Sequence, residues 1–212
     1  MDRDTAVSRV QINLAFRSDK ETEIIAALQD AQVELETGAI LPWFLRSEVS
    51  SISTVSGEER VKLPSDFIRE WDDDPLWYFN GDAAEASDRW VPLAKDDMET
   101  LRASFPGEGA PKAYQLDPKY FRIFPTPDAA YTLKMIYSKH DEVLSSNVEN
   151  LWLKHFPWLL IGKAGTAIAS ALRDKDAIKF FDAKAAQNTR LMIRDTEARR
   201  HESRRYIMGG PD

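Results

Sequence analysis

Apolar residues along this chain recur at two periods, and the switches between them divide it. In 21–36 they fall at helical spacing, with Ile24, Leu28, Ala31 and Leu35 flanked by Ile25 and Ala27. Ser18 followed by Glu21 reads as a capping box, Asp19 adds negative charge to the first turn, and Gly38 ends the helix. Residues 1–17 read as a flexible arm or another short helix. Pro42-Trp43-Phe44-Leu45 is an apolar plug just after.

From 48 to 140 the period drops to two. Val49, Ile52 and Val55, a turn at Gly57-Glu58-Glu59, then Val61 and Leu63 predict a hairpin of two short strands. Pro64 closes it, because proline cannot continue a central strand. Leu76-Trp77-Tyr78-Phe79 and Trp90-Val91-Pro92-Leu93 read as short extended pieces, and 96–104 as a short helix with an acidic first turn. The densest alternation lies in 112–137. Tyr114 and Leu116, Tyr120-Phe121-Arg122-Ile123-Phe124, and then Tyr131, Leu133, Met135 and Tyr137 follow one another across turns at Asp117-Pro118-Lys119 and Pro125-Thr126-Pro127-Asp128. Three successive strands with short connections predict an antiparallel meander with one buried face.

From 146 the helical period returns. Ser146 and Glu149 read as a second capping box, and Trp152, Phe156, Leu159 and Leu160 as a helix kinked or split at Pro157. Gly162, Ala164, Gly165, Ala167, Ala169 and Ala171 would let another element approach closely. After a break at Asp174-Lys175-Asp176, a last helix from about 177 to 205 has Ile178, Phe181, Ala185, Leu191 and Ile193 as apolar positions. Beyond Ile193 the stripe stops, which leaves 197–205 with nothing to bury in its own domain.

These elements predict an α+β fold: a helical bundle (the N-terminal helix plus two long C-terminal helices), a small antiparallel β-meander domain and an extended C-terminal tail. The corresponding domains are an N-terminal helical segment 1–47, a β-rich region 48–140, C-terminal helices 141–196 packing with the first helix, and a tail 197–212.

Composition narrows the chemistry. At 212 residues with 43% hydrophobic content, the chain can bury a real core. The absence of cysteine removes disulfides, thiolate chemistry and zinc–thiolate sites. The N-terminus lacks the basic and apolar regions of a secretory signal, and the apolar run 151–172 is interrupted by Lys154, His155, Pro157 and Lys163, so it reads as a core helix and not a membrane span. A soluble protein made in the cytoplasm is expected. The net charge of −7 opposes broad DNA binding. The acids gather early, as in Asp72-Asp73-Asp74 and Asp96-Asp97, and the arginines late, so the tail meets something other than what the body meets.

No catalytic, cofactor or metal residue emerges. Gly162-Lys163-Ala164-Gly165-Thr166 has the letters of a phosphate loop in the wrong order and lies within a helical pattern. His140, His155 and His201 are scattered, and the contiguous Asp72-Asp73-Asp74 lacks the spacing of a calcium loop, reading as a solvated turn. The basic end has two readings: a helix terminus whose cations suit the negative dipole end, or an arm that docks on a partner through Arg199, Arg200, Arg204 and Arg205 with Tyr206, Ile207 and Met208 as apolar anchors.

Taken in order, the helix at 20–36, Val61-Lys62-Leu63-Pro64-Ser65-Asp66-Phe67, Gly109-Ala110-Pro111-Lys112-Ala113-Tyr114, Phe121-Arg122-Ile123-Phe124-Pro125-Thr126-Pro127-Asp128, Tyr131-Thr132-Leu133-Lys134-Met135-Ile136-Tyr137 and the two closing helices resemble the head-to-tail adaptor (connector, neck or gateway) proteins of tailed bacteriophages. The resemblance covers about 18–194 and rests on turns and core positions. It implies a non-enzymatic virion protein without cofactors, located in the neck at the head–tail junction. Such adaptors form a ring, typically dodecameric, beneath the portal protein, and extend the DNA channel. They offer a platform to the next neck or tail component (a tail terminator, a stopper, or a tail tube or nozzle). DNA passes through without sequence-specific binding. C-terminal segments in the family reach onto the portal, which fits the arginine-rich end. Two other readings stand beside it: a cytoplasmic α+β ligand-binding domain or enzyme with a site assembled from distant residues, and a nucleic-acid binder acting through the Arg-rich tail.

Overall fold

A computed structural model describes residues 1–71, 74–81 and 89–208, with 200–208 described by backbone alone. The fold is α+β, and the chain divides into two compact units, Met1–Leu45 with His140–Asp212, and Arg46–Lys139.

In the first unit, residues 1–17 hold a helix, α1 (Arg3–Asn13), started by Asp2, whose carboxylate accepts from the Thr5 amide at 2.9 Å. Its Ala6, Val7 and Val10 are buried. Helix α2 (Glu21–Glu36) buries Ile24, Leu28 and Ala31 as the spacing predicts. Its expected capping box at Ser18 does not form. A 3-10 turn, Ser18–Lys20, precedes the helix, Arg17 takes the Asp19 carboxylate at 2.8 Å, and Lys20 at the cap position reaches Glu23 at 2.7 Å without capping an amide.

The second expected capping box also fails. Helix α4 (Leu151–His155, with α3 assigned below) starts at Asn150, whose Oδ1 accepts from the Leu153 amide at 3.2 Å. Asp141 reaches the same helix end, accepting from the Leu151 amide at 2.6 Å, while the Ser146 hydroxyl is engaged with Arg3 and Asp4. The break at Pro157 is complete. Helix α5 (Pro157–Leu172) begins there, with proline in the first turn, where its missing N–H costs nothing. Arg173, in the left-handed region at φ 58°, turns the chain into α6 (Lys175–Met208). Residues 197–208 continue this helix, in keeping with the helical pattern read to about 205. Helix α5 is the hub on which α1, α2, α4 and α6 all pack.

The second unit holds β1 (Arg46–Ser53), β2 (Arg60–Lys62), β3 (Phe67–Glu70), β4 (Leu76–Phe79), β5 (Trp90–Pro92), β6 (Ala94–Lys95), α3 (Met98–Ser104), β7 (Ala113–Leu116), β8 (Tyr120–Phe124) and β9 (Thr132–Lys139). One sheet runs β1-β9-β4-β5 with β3 also on β9, and the other runs β2-β8-β7-β6. All pairs are antiparallel except β6 with β7. Asp97 caps α3 as the acidic first turn predicts.

Two sequence expectations fail here for one reason. The hairpin predicted over 48–63 does not close, because β1 and β2 lie in different sheets. The meander keeps its β7–β8 hairpin but loses its third strand, since β9 joins the other sheet. The loops that change sheet grip each other. The Gly57 amide donates to the Pro127 carbonyl at 2.7 Å, the Ser56 hydroxyl to Asp128 at 3.0 Å, and the Thr54 hydroxyl to Ala129 at 3.0 Å. Their polar groups are satisfied by that clasp, so neither loop closes a hairpin of its own. Leu76, Tyr114, Phe121, Ile123, Leu133 and Met135 form the core, drawn from strands of both sheets and fully buried.

Candidate docking site on the C-terminal helix

Helix α6 spans 34 residues, about 51 Å at 1.5 Å per residue. Its inner face buries Ala177, Phe181, Met192 and Thr196. The small residues of α5 admit that face at close range. A Cβ on Gly162 would stand 2.8 Å from the Ala185 Cβ, and one on Gly165 would stand 2.4 Å from the Phe181 ring. Both distances lie well inside van der Waals contact, so the two glycines set how closely the helices approach. The Gly162-Lys163-Ala164-Gly165-Thr166 run is thus a packing surface inside α5. Periodicity misplaces one position: Leu191 is 38% exposed, and Met192 beside it is buried.

Farther along, the inner face turns polar and is held by the plug at 42–45. The Trp43 indole N–H donates to the Asp195 carboxylate at 2.6 Å, and the Arg199 guanidinium lies 3.9 Å above the Trp43 ring. Arg199 also pairs with Asp195 at 3.4 Å. Phe44 stacks on the His155 imidazole at 4.9 Å and meets Trp152 edge-on at 5.2 Å. Burial, together with the Lys154 and Arg199 charges, holds the His155 imidazole below its ordinary pKa. Beyond Thr196 the described side chains Glu197, Ala198 and Arg199 are exposed, as the end of the apolar stripe predicts, but Arg199 still reaches Trp43 and Asp195, a tie that the pattern does not show. The signal was Trp43, an aromatic with an N–H to satisfy.

The outer face is bare and basic. Lys179, Arg190 and Arg194 take part in none of the ion pairs among the described residues, and Ala183, Ala186, Gln187, Arg190, Leu191 and Arg194 line a shallow crease of about 490 Å³. Helix α6 carries nine Lys or Arg against five Asp or Glu, so the rest of the chain is more acidic than the net −7 of the whole.

A second polar cluster ties α2 to α4. Glu36, 4% exposed, accepts from Gln32 at 2.9 Å, the Trp152 indole at 3.2 Å and the Asp141 amide at 3.2 Å, and its other oxygen lies 2.6 Å from His140 Nδ1. Burial raises the Asp141 carboxyl above its ordinary pKa, and nearby Glu36 adds to that, against the amides it accepts. Every member is hydrogen-bonded within one helical unit, which makes this a structural clasp.

Of the residues assigned to partner contact, Arg199 sits at the root described above. The side chains of Arg200, Arg204, Arg205, Tyr206, Ile207 and Met208 lie outside the described residues, as do Asp72, Asp73, Gly209, Gly210 and Pro211. Among the described residues, no group of three or more His, Asp or Glu could hold a metal ion, and no helix is long and apolar enough to cross a membrane.

No curated protein matches the chain. The family model described as SU10 adaptor protein matches residues 1–208, and the chain belongs to that family, one of phage head-to-tail adaptors.

Proposed function

We propose that this SU10 adaptor family member is a structural component of the virion neck that forms a ring, typically of twelve copies, below the portal. There it extends the DNA channel and joins capsid to tail. The family match supports the adaptor role and association with portal and tail components. One structural observation supports the mode of attachment. Helix α6 continues to Met208, past Thr196, its last buried side chain among the described residues, by about three turns or roughly 18 Å.

In this reading the body is held by the α5–α6 packing and the Trp43 root, while the turns beyond 196 enter a cleft of the portal. Arg200, Arg204 and Arg205 would meet acidic groups there, and Tyr206, Ile207 and Met208 an apolar pocket. Arg199 has the second task of fixing the helix direction through Trp43. The opposite side of the ring would seat the next neck or tail component. DNA would pass without sequence-specific contact, since an acidic lumen repels phosphates and leaves no sticking point. The domain division that follows is a helical body carrying the docking helix, and a β unit that forms the platform.

Electron microscopy of the purified protein mixed with the phage's portal tests this. Rings of the protein stacked coaxially on the portal are expected. A protein that remains monomeric and unbound beside portal rings overturns it. A strongly basic lumen in such rings would overturn the DNA-sliding part alone.

A further inference from the structure

We infer that neighbouring copies join by laying the basic outer face of α6 on the acidic outer face of α2 of the next copy. The inference rests on the ring reading above and adds which faces meet. Helix α2 carries Glu21, Glu23, Asp30, Glu34 and Glu36 and no Lys or Arg, and only Glu36 of these is buried. Its outward stripe of Glu23, Ala26, Asp30 and Val33 recurs at helical spacing. Val33 stands 63% exposed in the middle of that stripe.

The α6 stripe is its counterpart. Lys179, Arg190 and Arg194 flank the exposed Ala183 and Ala186, and the shallow crease they border has room for an apolar knob such as Val33. Asp30, like Lys179, Arg190 and Arg194, enters none of the ion pairs among the described residues. On α2, Glu23 pairs with Lys20 and Glu34 with Lys163, so Asp30 is the acid of that stripe left unpaired, beside Ala26 and Val33, against three unpaired cations on α6 beside Ala183 and Ala186.

Alone, each stripe would be a solvated face. Together they are complementary in sign and in shape. Two copies of the α6 face would repel each other, as would two copies of the α2 face, and like charges placed across an interface cost several kcal/mol. Only unlike faces can meet. Unlike patches on one chain allow a heterologous, head-to-tail contact, which repeats from copy to copy and gives a ring when the rotation between copies closes.

The cysteine-free chain makes the test direct. Ala26→Cys on α2 and Ala183→Cys on α6 are introduced together and separately, and the proteins are oxidised alone and on portal rings. The double variant is expected to give a ladder of covalent oligomers. Each single variant is expected to stay monomeric, and a mixture of the two to give dimers. Cross-linking of the Ala183→Cys variant with itself, or a double variant that stops at the dimer, overturns the inference. So does the absence of any ladder on portal-bound rings seen by microscopy, and in that case the ring reading survives. If the wild-type chain forms no rings on the portal, the ring reading falls and this inference with it.

Charge reversal supplies an independent readout. R190E/R194E in the double-cysteine background should cut the ladder at least about tenfold without changing the melting temperature. Mixing that protein with a D30K variant in the same background should restore it. A ladder indifferent to both changes overturns the inference. So does an unchanged ladder accompanied by lost binding to a duplex DNA oligonucleotide, which would assign the face to nucleic acid.

Discussion

The inner and outer faces of α6 are made of different materials. The inner face is fixed by shape: the Phe181 ring and Ala185 sit where two glycines of α5 leave no room for a Cβ. On the outer face Lys179, Arg190 and Arg194 enter no ion pair among the described residues, and these long cations stand around small residues. A contact set by interlocking shape is intolerant of small volume changes. A face set by charge tolerates them and responds to sign instead. One helix can therefore be rigidly mounted and remain free for assembly.

That contrast can be broken by substitution. The largest effect is expected from Phe181→Ala, which removes a fully buried ring and should cost about 3–5 kcal/mol in denaturant unfolding. Gly165→Ala comes next, at about 1–3 kcal/mol, because the new methyl meets that same ring. Combined, the two should cost clearly less than their sum, since removal of the ring makes space for the methyl. Additive costs would show that the glycine does not set the helix approach.

Trp43→Phe keeps the ring beside Arg199 and deletes the N–H that Asp195 accepts, for an expected loss of about 1 kcal/mol in thermal or chemical unfolding. His155 gives a smaller effect with a defined sign. Its folded pKa lies below the ordinary 6.5, so the unfolded chain takes up the proton first on acidification. The His155 contribution is therefore complete above about pH 6.5 and is lost as pH falls through the folded pKa. Stability measured from pH 7.5 to 5 should show this, and His155→Phe should flatten that part of the profile. Smallest of all, Arg190→Ala on the outer face should leave stability within about 0.5 kcal/mol of the parent.

Much of this was legible from spacing, and the failures share a cause. The buried stripe of α2, the break at Pro157, the small-residue face of α5 and the Asp97 cap are local facts carried by residues three or four apart. Strand positions were local too, and β4, β5, β7 and β8 fall where alternation puts them. Strand partners are not local. β9 turns away from β8 because loops more than seventy residues apart bind each other, with Thr54 on Ala129 and Ser56 on Asp128. The Ser18 and Ser146 boxes failed in the same way: Arg17 captured Asp19 and Arg3 captured Ser146, while Asn150 and Asp141 took the cap. On α6, the arginines were visible in sequence and the Trp43 root was not, because its partner Asp195 is 152 residues away.

The most direct measurement is portal binding by the chain truncated after Thr196, compared with the full chain by co-sedimentation and followed for folding by circular dichroism. The truncated protein keeps the buried Phe181, Met192 and Thr196 and should retain its cooperative unfolding, while its affinity for portal rings falls at least about a hundredfold, the loss of several buried contacts. Undiminished binding by a folded truncated chain would contradict the assignment of docking to the end of α6.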